Sequence, residues 1–324
     1  MMNKPLRFGI LGAGNIATKM AATLDFLRNE LIPYAISARD ISRAEALRSK
    51  FNFEKAYGSY DEMLRDPNVD VVYISTTNPM HYEHAKASLL AGKHIICEKP
   101  FTVTTEQAIE IFSIAKSKNL FALEAVWTRF QPYVKQIKEI IDSGEIGTPR
   151  FIQATFALQI SHKERMIEPT GGGALLDLGI YPIHFAALFL GYEYTRLTSH
   201  SIKAPSGVDD QSTITLEYAN GAIADLSTSM SAAYGTSARI AGTRGSIDFP
   251  MLIHGQSFTV KSPDTPATGR IVQCPFDFNG YEYEIRAAIK AINEGKCQCD
   301  ECTWDDTLAV TRLMEKLRNS WKLS

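Results

Sequence analysis

Three side chains that handle protons, Asp177, Tyr181 and His184, stand within the apolar stretch ALLDLGIYPIHF. If this stretch is helical, the spacing of four and then three residues places all three side chains on one face. Carboxyl, phenol and imidazole groups are the side chains that accept or donate protons in acid-base catalysis. The segment therefore predicts one wall of an active site, with a proton acceptor among the three residues.

Tyrosine and histidine compete for the role of proton acceptor. Histidine has the pKa that a base needs at neutral pH, whereas an unperturbed tyrosine has a pKa of about 10 and needs a neighbouring positive charge. Each also has an ordinary structural explanation, because a lone histidine or tyrosine in an apolar helix is commonly a core group whose polar atom has found a partner. The residues alone leave the choice between Tyr181 and His184 open.

Lys99 is a candidate source of positive charge. It follows the apolar segment HIICE, which predicts a buried strand, and precedes Pro100, which restricts the backbone of the lysine. Open α/β sheets bind ligands at the carboxyl ends of their strands. The sequence therefore predicts that Lys99 lies at a ligand site, the alternative being a surface lysine in a loop.

The start of the chain carries a nucleotide-binding pattern. LRFGIL predicts a strand and is followed by the sequence GAGNIA and a predicted helix, which together fit the dinucleotide pattern GxGxxA. Gly12 permits the tight turn, and Gly14 lets the backbone approach a pyrophosphate. We expect Asn15 and Ile16, at the start of the helix, to contribute to phosphate binding.

Two arginines after the second predicted strand bear on the choice of nucleotide. NAD enzymes usually place an acidic residue at this strand end, where it binds the ribose hydroxyls. Here the strand ends with Ala38 and Arg39, and Arg43 lies one helical turn later. A guanidinium binds a 2′-phosphate through two parallel hydrogen bonds, which favours NADP over NAD. Asp40 is either a ribose ligand or the cap of the next helix.

Strands and helices alternate up to about residue 127, with six predicted strands, as in a doubly wound parallel sheet. Beyond this point PYVKQIKEIIDSGEIG predicts an amphipathic helix, PRFIQATFAL a strand and GGGALLDLGIYPIHFAALFLG a single helix. Several strands follow, SARIAGTRGSIDF among them, and two helices close the chain. We expect two domains, residues 1–125 and residues 126–324.

Composition excludes several classes of function. Of 324 residues, 45% are hydrophobic and 22% charged, which is typical of a globular protein, and the formal net charge is −2. No long basic run suggests nucleic acid or a membrane surface as a partner. Glycines interrupt the apolar start of the chain, so we expect no signal peptide and a cytoplasmic location.

Three of the five cysteines, Cys297, Cys299 and Cys302, crowd into CQCDEC. They are either a metal-thiolate site or a reduced, exposed turn between two helices. A structural zinc site needs four ligands, and neither a second CxxC nor a nearby histidine supplies the fourth. We predict no metal there.

The motif GKHxxxEKP, with TTNPxH and the glycine pattern, resembles the family of glucose-fructose oxidoreductase, inositol dehydrogenase and MocA. EAVWTRFQP, ARDISRA and GGGALLDLGIYPIHF make the chain similar to its dimeric dihydrodiol dehydrogenase and NADP-dependent D-xylose dehydrogenase branch, over nearly the full length. The resemblance implies an α/β fold with an N-terminal Rossmann doubly wound parallel sheet and a C-terminal α/β domain built on a large, mostly antiparallel open sheet. It also implies an NAD(P)-dependent dehydrogenase of a polyol, sugar or diol that forms a homodimer.

The same resemblance assigns roles to residues. It places the acid-base group four residues after the aspartate, at Tyr181 rather than His184, with Lys99 beside the reacting carbon and Asp177 binding substrate hydroxyls or orienting the lysine. The expected substrate walls, which could equally be packing residues, are Trp127, Arg129 and Phe156. The further expected cofactor contacts are Thr76, Thr77, Asn78, Glu98 and, on the nicotinamide side, His81 and Arg165. Two alternatives stay open: a ketosugar or imine reductase with the same residues, and a regulatory protein that binds NADP without turnover.

Overall fold

The computed structural model describes residues 4–322, and its contacts divide the chain into two compact units. The first unit comprises the chain up to Trp127 together with Asp277–Thr311, and the second comprises Thr128–Phe276 and the chain from Arg312 onward. The segment Asp277–Thr311, which the sequence placed in the second domain, thus packs with the first unit.

Side chains late in the sequence attach this segment to the first unit. The indole Nε1 of Trp304 donates to the carbonyl of Ala122 at 2.9 Å, and the indole stacks on Phe112 with ring centroids 5.0 Å apart. The amide of Ala122 donates in turn to the carbonyl of Cys297 at 3.0 Å. These contacts join segments far apart in sequence, which is why local patterns did not predict them.

A six-stranded parallel sheet forms the centre of the first unit, in the order β3-β2-β1-β4-β5-β6. Its strands are β1 (Arg7–Leu11), β2 (Ile32–Ser37), β3 (Lys55–Tyr57), β4 (Val71–Ile74), β5 (His94–Glu98) and β6 (Ala122–Ala125). The helices are α1 (Asn15–Phe26), α2 (Ile41–Lys50), α3 (Tyr60–Arg65), α4 (His81–Leu90) and α5 (Thr105–Lys118), with α9 (Glu282–Asn293) from the later segment. The predicted doubly wound parallel sheet is confirmed.

A buried carboxylate, Asp66, anchors the edge of this sheet. Its Oδ2 accepts hydrogen bonds from Tyr34 (2.8 Å), Tyr57 (2.5 Å) and Lys55 (2.9 Å). Its Oδ1 accepts two more from Asn68. Burial raises the pKa of Asp66, but the hydrogen bonds outweigh burial and hold the pKa well below its ordinary value.

Asp66→Asn is expected to lower the free energy of unfolding by about 2–3 kcal/mol at neutral pH. The reason is that an amide NH₂ replaces one carboxylate oxygen and cannot accept the hydrogen bonds that the surrounding donors make. A carboxyl whose folded-state pKa is depressed stabilises above its unfolded pKa and loses that effect as pH falls through the folded pKa. The difference between wild type and variant should therefore shrink below about pH 4. Urea unfolding across pH measures this, with exposed Asp264→Asn as the control. A pH-independent difference would contradict the account.

The second unit contains an eight-stranded sheet in the order β14-β13-β12-β11-β7-β10-β9-β8. Its strands are β7 (Pro149–Ala157), β8 (Tyr194–Lys203), β9 (Asp209–Tyr218), β10 (Ile223–Ser229), β11 (Gly235–Gly242), β12 (Ser246–Phe249), β13 (Ser257–Lys261) and β14 (Arg270–Gln273). Only the pair β7–β10 is parallel among the pairings of this sheet in residues 4–322. The predicted mostly antiparallel open sheet is confirmed.

One predicted strand of the second unit is in fact two. SARIAGTRGSIDF turns back on itself, so that β11 and β12 pair antiparallel. A Cβ on Gly242 would lie 2.1 Å from the carbonyl oxygen of Ile146, and one on Gly245 would lie 2.1 Å from that of Lys261. Only glycine permits this close approach of backbones, and the pair of glycines marks the turn.

The helices of the second unit are α6 (Pro132–Asp142), the short α7 (Glu164–Ile167) and α8 (Ile180–Leu190). Helix α10 (Trp304–Ser320) begins in the first unit and ends in the second, because the division falls after Thr311. A π-helical turn, Leu175–Gly179, directly precedes α8. Among residues 4–322, no helix is both long enough and apolar enough to cross a membrane.

Candidate functional site

The glycine turn after β1 leaves a helix start free for an anion. Gly12 has φ +115°, and a Cβ there would lie 2.7 Å from Oγ of Ser75. At Gly14 a Cβ would meet no atom within 4 Å, so the backbone is open to a ligand. Helix α1 begins at Asn15 with no side-chain cap and no acidic residue in its first turn, which includes Ile16. An uncapped helix N-terminus behind an open glycine fits a pyrophosphate.

The residues after β2 form the turn into α2. Ala38 is buried, and its amide donates to the carbonyl of Tyr57 at 3.1 Å. Asp40 caps α2, accepting from the amide of Ser42 at 3.0 Å and from its hydroxyl. These hydrogen bonds lower the pKa of Asp40. Of the two roles the sequence left open for Asp40, the structure shows the helix cap.

Both arginines after β2 are exposed. The Nη2 of Arg43 donates to the carbonyl of Ala13 at 2.7 Å, which places its guanidinium against the glycine turn. Arg39 stands before the helix cap, and its charge adds to burial in lowering the pKa of His84. The turn after β1 is therefore bordered by positive charge.

A buried histidine ties the loop after β4 to the loop after β5. The ring nitrogens of His81 contact the carbonyl oxygens of Pro100 (2.8 Å) and Thr76 (3.0 Å). Burial outweighs these two contacts and lowers the pKa of His81 to about 4, so the ring is neutral at pH 7 and donates to one carbonyl. Because both nitrogens are engaged, His81 orients loops; the nicotinamide contact expected of it stays a prediction.

The remaining residues of the TTNPxH turn lie beside this histidine. The Oγ1 of Thr76 contacts Nδ1 of His84 at 2.9 Å. Thr77 is exposed and precedes a 3-10 turn that begins at Asn78. The turn thus stands at the carboxyl end of β4, the strand that pairs with β1.

Lys99 directly follows β5 and is half-buried. Its amide donates to Oε2 of Glu98 at 3.3 Å, and the hydroxyl of Tyr73 donates to Oε1 of Glu98 at 2.6 Å. The peptide bond to Pro100 is cis. Since the strands are parallel, Lys99 lies at the same edge of the sheet as the glycine turn.

In the second unit, a buried carboxylate fixes the start of the segment that carries Asp177 and Tyr181. Asp209 accepts from the amide of Leu175 at 2.6 Å, and burial raises its pKa to about 6. A Cβ on Gly173 would lie 2.2 Å from Oδ1 of Asp209, so this position requires glycine. Sequence reasoning missed Asp209 because no local pattern links it to a helix 34 residues earlier.

The predicted helix does not begin as a regular α-helix. The amide of Ile180 donates to the carbonyl of Leu175, five residues back, which makes the turn that carries Asp177 π-helical. Pro182 has no amide hydrogen to continue the regular α pattern. Such turns occur frequently at functional sites.

Tyr181 is 8% exposed, and its ring centroid lies 5.6 Å from that of Phe156. Asp177, with its side chain 12% exposed, forms an ion pair with Arg165 at 2.5 Å. Tyr181, Phe156, Asp177 and Arg165 all belong to the second unit, whereas Lys99 and the glycine turn belong to the first.

His184 lies in a buried pair with an arginine. Its Nδ1 is 3.3 Å from Nη1 of Arg129, and the same Nη1 donates to the hydroxyl of Tyr192 at 2.7 Å. Because guanidinium only donates, Nδ1 is the acceptor and the ring is neutral. Burial, with the charge of Arg129 adding to it, holds the pKa of His184 well below its ordinary value. A base of such low pKa accepts a proton poorly at neutral pH.

Trp127 and the cysteines are packing groups in this structure. The indole of Trp127 is 2% exposed and stacks on Tyr281, with centroids 4.5 Å apart. Cys299 and Cys302 are buried and Cys297 is half-buried, whereas Asp300 and Glu301 of the same turn are exposed. Within the described part of the chain, no group of three or more His, Cys, Asp and Glu side chains is arranged to hold a metal ion.

Two family models match the chain. Residues 6–125 match the model described as "Oxidoreductase family, NAD-binding Rossmann fold". Residues 134–248 match the "GFO/IDH/MocA C-terminal domain". Together the two matches cover most of both units.

The chain is also similar in sequence to named enzymes over most of its length. The chain is 31% identical over 327 residues to a trans-1,2-dihydrobenzene-1,2-diol dehydrogenase of Macaca fascicularis, covering 97% of this chain and 96% of the relative. It is 37% identical over 243 residues to the enzyme of that name from Mus musculus, covering 74% and 73%.

Solved structures show the same architecture. A 3-ketoreductase from Actinomadura kijaniata in complex with NADP and TDP-benzene superimposes with a TM-score of 0.85 at 26% identity, covering 98% of each chain. A levoglucosan dehydrogenase in complex with NADH and levoglucosan superimposes with a TM-score of 0.86 at 23% identity, covering 98% of this chain and 97% of that one. The latter likeness shows the fold alone.

Proposed function

This chain belongs to the GFO/IDH/MocA oxidoreductase family and is an NAD(P)-dependent dehydrogenase, and we propose that it uses NADP to oxidise a secondary alcohol or vicinal diol of a sugar or cyclic compound. The observation that carries the proposal is the position of Lys99, at the edge of the parallel sheet that also holds the uncapped start of α1. The names of the Macaca fascicularis and Mus musculus relatives support a diol as substrate.

Proton transfer is assigned to Tyr181. A bound nicotinamide supplies the hydride acceptor, and the substrate hydroxyl must then lose its proton to a base. An ordinary tyrosine has a pKa of about 10, so its phenol needs a nearby cation to act at neutral pH. We assign that charge to Lys99, and we assign substrate-hydroxyl binding to Asp177, with Phe156 as an apolar wall.

A turnover screen tests the function. With NADP present, trans-dihydrodiols, inositols and aldose sugars are offered one class at a time, and formation of reduced nicotinamide is followed by absorbance. We expect turnover with at least one class of substrate. The control reaction, with the same substrates and enzyme but without added NADP, should give none. No turnover with any class would contradict the proposal and favour a regulatory protein that binds NADP without turnover.

A ketosugar reductase with the same residues is the second candidate, favoured by the 26% identity to a 3-ketoreductase. In that direction Tyr181 donates the proton that it otherwise accepts. Comparing initial rates with NADPH and ketosugars against those with NADP and diols distinguishes the two. The cytoplasmic location and the lack of nucleic-acid and membrane partners stay predictions from the sequence.

NADP is expected to bind about tenfold to a hundredfold more tightly than NAD, because charge-assisted hydrogen bonds to a 2′-phosphate contribute about 1.5–3 kcal/mol. Titration with both nucleotides measures the ratio. Arg39→Ala and Arg43→Ala should each reduce the ratio. Arg48→Ala is the control and should leave the ratio unchanged, because Arg48 lies on α2 with Arg43 but pairs with Glu45. Equal affinities, or a preference for NADP that survives both substitutions, would overturn this assignment.

A homodimer formed through the second unit's sheet is proposed. Helix α8 packs against β7 and β10 on one face, where Ile152 and Leu226 are buried. The opposite face carries Phe151, 38% exposed, and the pair Thr155–Ser227, whose hydroxyls lie 2.8 Å apart. Charged groups such as Asp225 and Arg239 also lie on this face, and a sheet face that the helices leave open suits self-association.

Light scattering at micromolar concentration is expected to give twice the chain mass. Thr155→Arg should yield a monomer, because it places charge in the centre of the face. Ser117→Arg, on exposed helix surface of the first unit, should leave the dimer intact. A wild-type monomer, or equal effects of both variants, would count against the proposal.

A further inference from the structure

Two buried glutamates of the first unit, Glu98 and Glu284, interact electrostatically, and Glu98 directly precedes Lys99. Glu284, in the first turn of α9, is 0% exposed, and neither of its carboxyl oxygens has a hydrogen-bond partner. Glu98, which precedes Lys99, is 8% exposed, and its charge adds to burial in raising the pKa of Glu284. Neither the family motifs nor the proposed reaction accounts for a second buried carboxyl at this place.

Glu282, two residues earlier on the same helix, is an equally buried carboxyl group whose oxygens do have hydrogen-bond donors. It is also 0% exposed, but its oxygens accept from the amides of Phe278 (2.9 Å), Asn279 (3.1 Å) and Gly280 (2.7 Å). Three amide donors replace the water that an exposed carboxylate would bind. Glu284 has equal burial and none of these donors.

The groups that interact electrostatically with Glu284 are acidic. Besides burial, the charges of Glu98 on β5 and of Glu284 raise the pKa of Tyr73 on β4, and Tyr281 at the start of α9 adds to this effect. Glu98 also raises the pKa of Glu284. Glu124 on β6 is also buried, and its charge, like that of Glu98, adds to burial in raising the pKa of Cys97. Lys19 approaches this group at Tyr281, with its Nζ 5.9 Å from the ring centroid.

Two carboxylates in such a place do not both ionise at neutral pH, because each repels the other and burial opposes both charges. Glu98 receives hydrogen bonds from the hydroxyl of Tyr73 and the amide of Lys99, which stabilise its ionised form. Glu284 receives none. The negative charge therefore belongs mainly to Glu98 and the proton mainly to Glu284.

We propose that Glu284 and Glu98 form a buried carboxyl pair that carries a single proton, held by Glu284, and that Glu284 is a positioning residue for Lys99. With Glu284 neutral, Glu98 carries the single charge that accepts the amide of Lys99 and fixes the backbone of this residue. Ionisation of Glu284 at alkaline pH adds a second buried charge and weakens that arrangement. The link to catalysis rests on the proposed function.

Infrared difference spectroscopy of the full-length protein tests the pair without requiring turnover. At neutral pH the wild type should show the C=O stretch of a protonated carboxylic acid that is lost in Glu284→Gln. Glu282→Gln is the matched control, because it removes an equally buried carboxyl group that accepts three amide hydrogen bonds, and it should leave this band in place. Absence of the band from the wild type, or its persistence in Glu284→Gln, would overturn the proposal.

The pH profile of kcat tests the positioning role. Glu284→Gln keeps the position neutral at every pH, so the fall in kcat on the alkaline side should move up by about one pH unit or more. If Glu284 had only a structural role, the pH profile of Glu284→Gln would match that of wild type, and this result would refute the positioning role. If the band behaves as expected but no substrate turns over in wild type, the carboxyl pair is supported and the proposed function fails.

Discussion

Lys99→Met is expected to lower kcat by about 10² or more while NADP still binds. Lys99 stands directly after β5, at the sheet edge that carries the glycine turn, and its backbone is fixed through Glu98. Methionine keeps much of the length and the apolar stem of lysine but removes the ammonium. Loss of the charge should also shift activity toward alkaline pH, because the phenol of Tyr181 then keeps an ordinary tyrosine pKa of about 10.

The control for this variant is Lys118→Met, which removes an exposed ammonium in the last turn of α5. It should leave kcat and the pH profile unchanged. Steady-state kinetics across pH, together with NADP titration, separates loss of the chemical step from loss of binding. A Lys99→Met enzyme with wild-type kcat would show that the ammonium takes no part in the reaction.

Tyr181→Phe is expected to lower kcat by a similar factor of about 10² or more. The substitution deletes the hydroxyl and keeps the ring, so the contact with Phe156, at 5.6 Å between centroids, should survive. Thermal unfolding should therefore change little while turnover is lost. Measuring kcat and the unfolding temperature on the same preparations separates a chemical role from a packing role.

His184→Asn is the comparison that decides between the two proton acceptors. His184 is 1% exposed and bound to Arg129, and its lowered pKa makes it a poor base, so the chemical step should change far less than in Tyr181→Phe. Stability should fall instead, because a buried ring is replaced by a smaller amide. If His184→Asn abolishes turnover while Tyr181→Phe stays active, the assignment of the proton acceptor is wrong.

The parts of the fold that follow from local physics were predictable from sequence. Apolar strands alternating with amphipathic helices indicated the parallel sheet, and the spacing of Gly12 and Gly14 between a strand and a helix indicated the open, uncapped start of α1. The motif around Lys99 indicated its place at a strand end. Each of these depends on neighbours within a few residues.

Features that depend on distant partners were not predictable in this way. The π turn before α8 arises where Pro182 breaks the regular amide pattern and where Asp209, from a later strand, holds the amide of Leu175. The pairing of Glu98 with Glu284 joins β5 to a helix almost two hundred residues later. A single sequence gives no periodic signal for such contacts.

Hydride transfer itself is the most direct test of the central claim, that this protein oxidises a carbinol carbon with NADP and passes the proton to Tyr181. Diols and sugars deuterated at the carbinol carbon are incubated with NADP and enzyme, and the nicotinamide is analysed by mass spectrometry. We expect deuterium to appear in the reduced nucleotide with wild type and with His184→Asn. With Tyr181→Phe the rate of deuterium transfer should be about 10²-fold lower. Bound NADP that acquires no deuterium from any of these substrates would contradict the account.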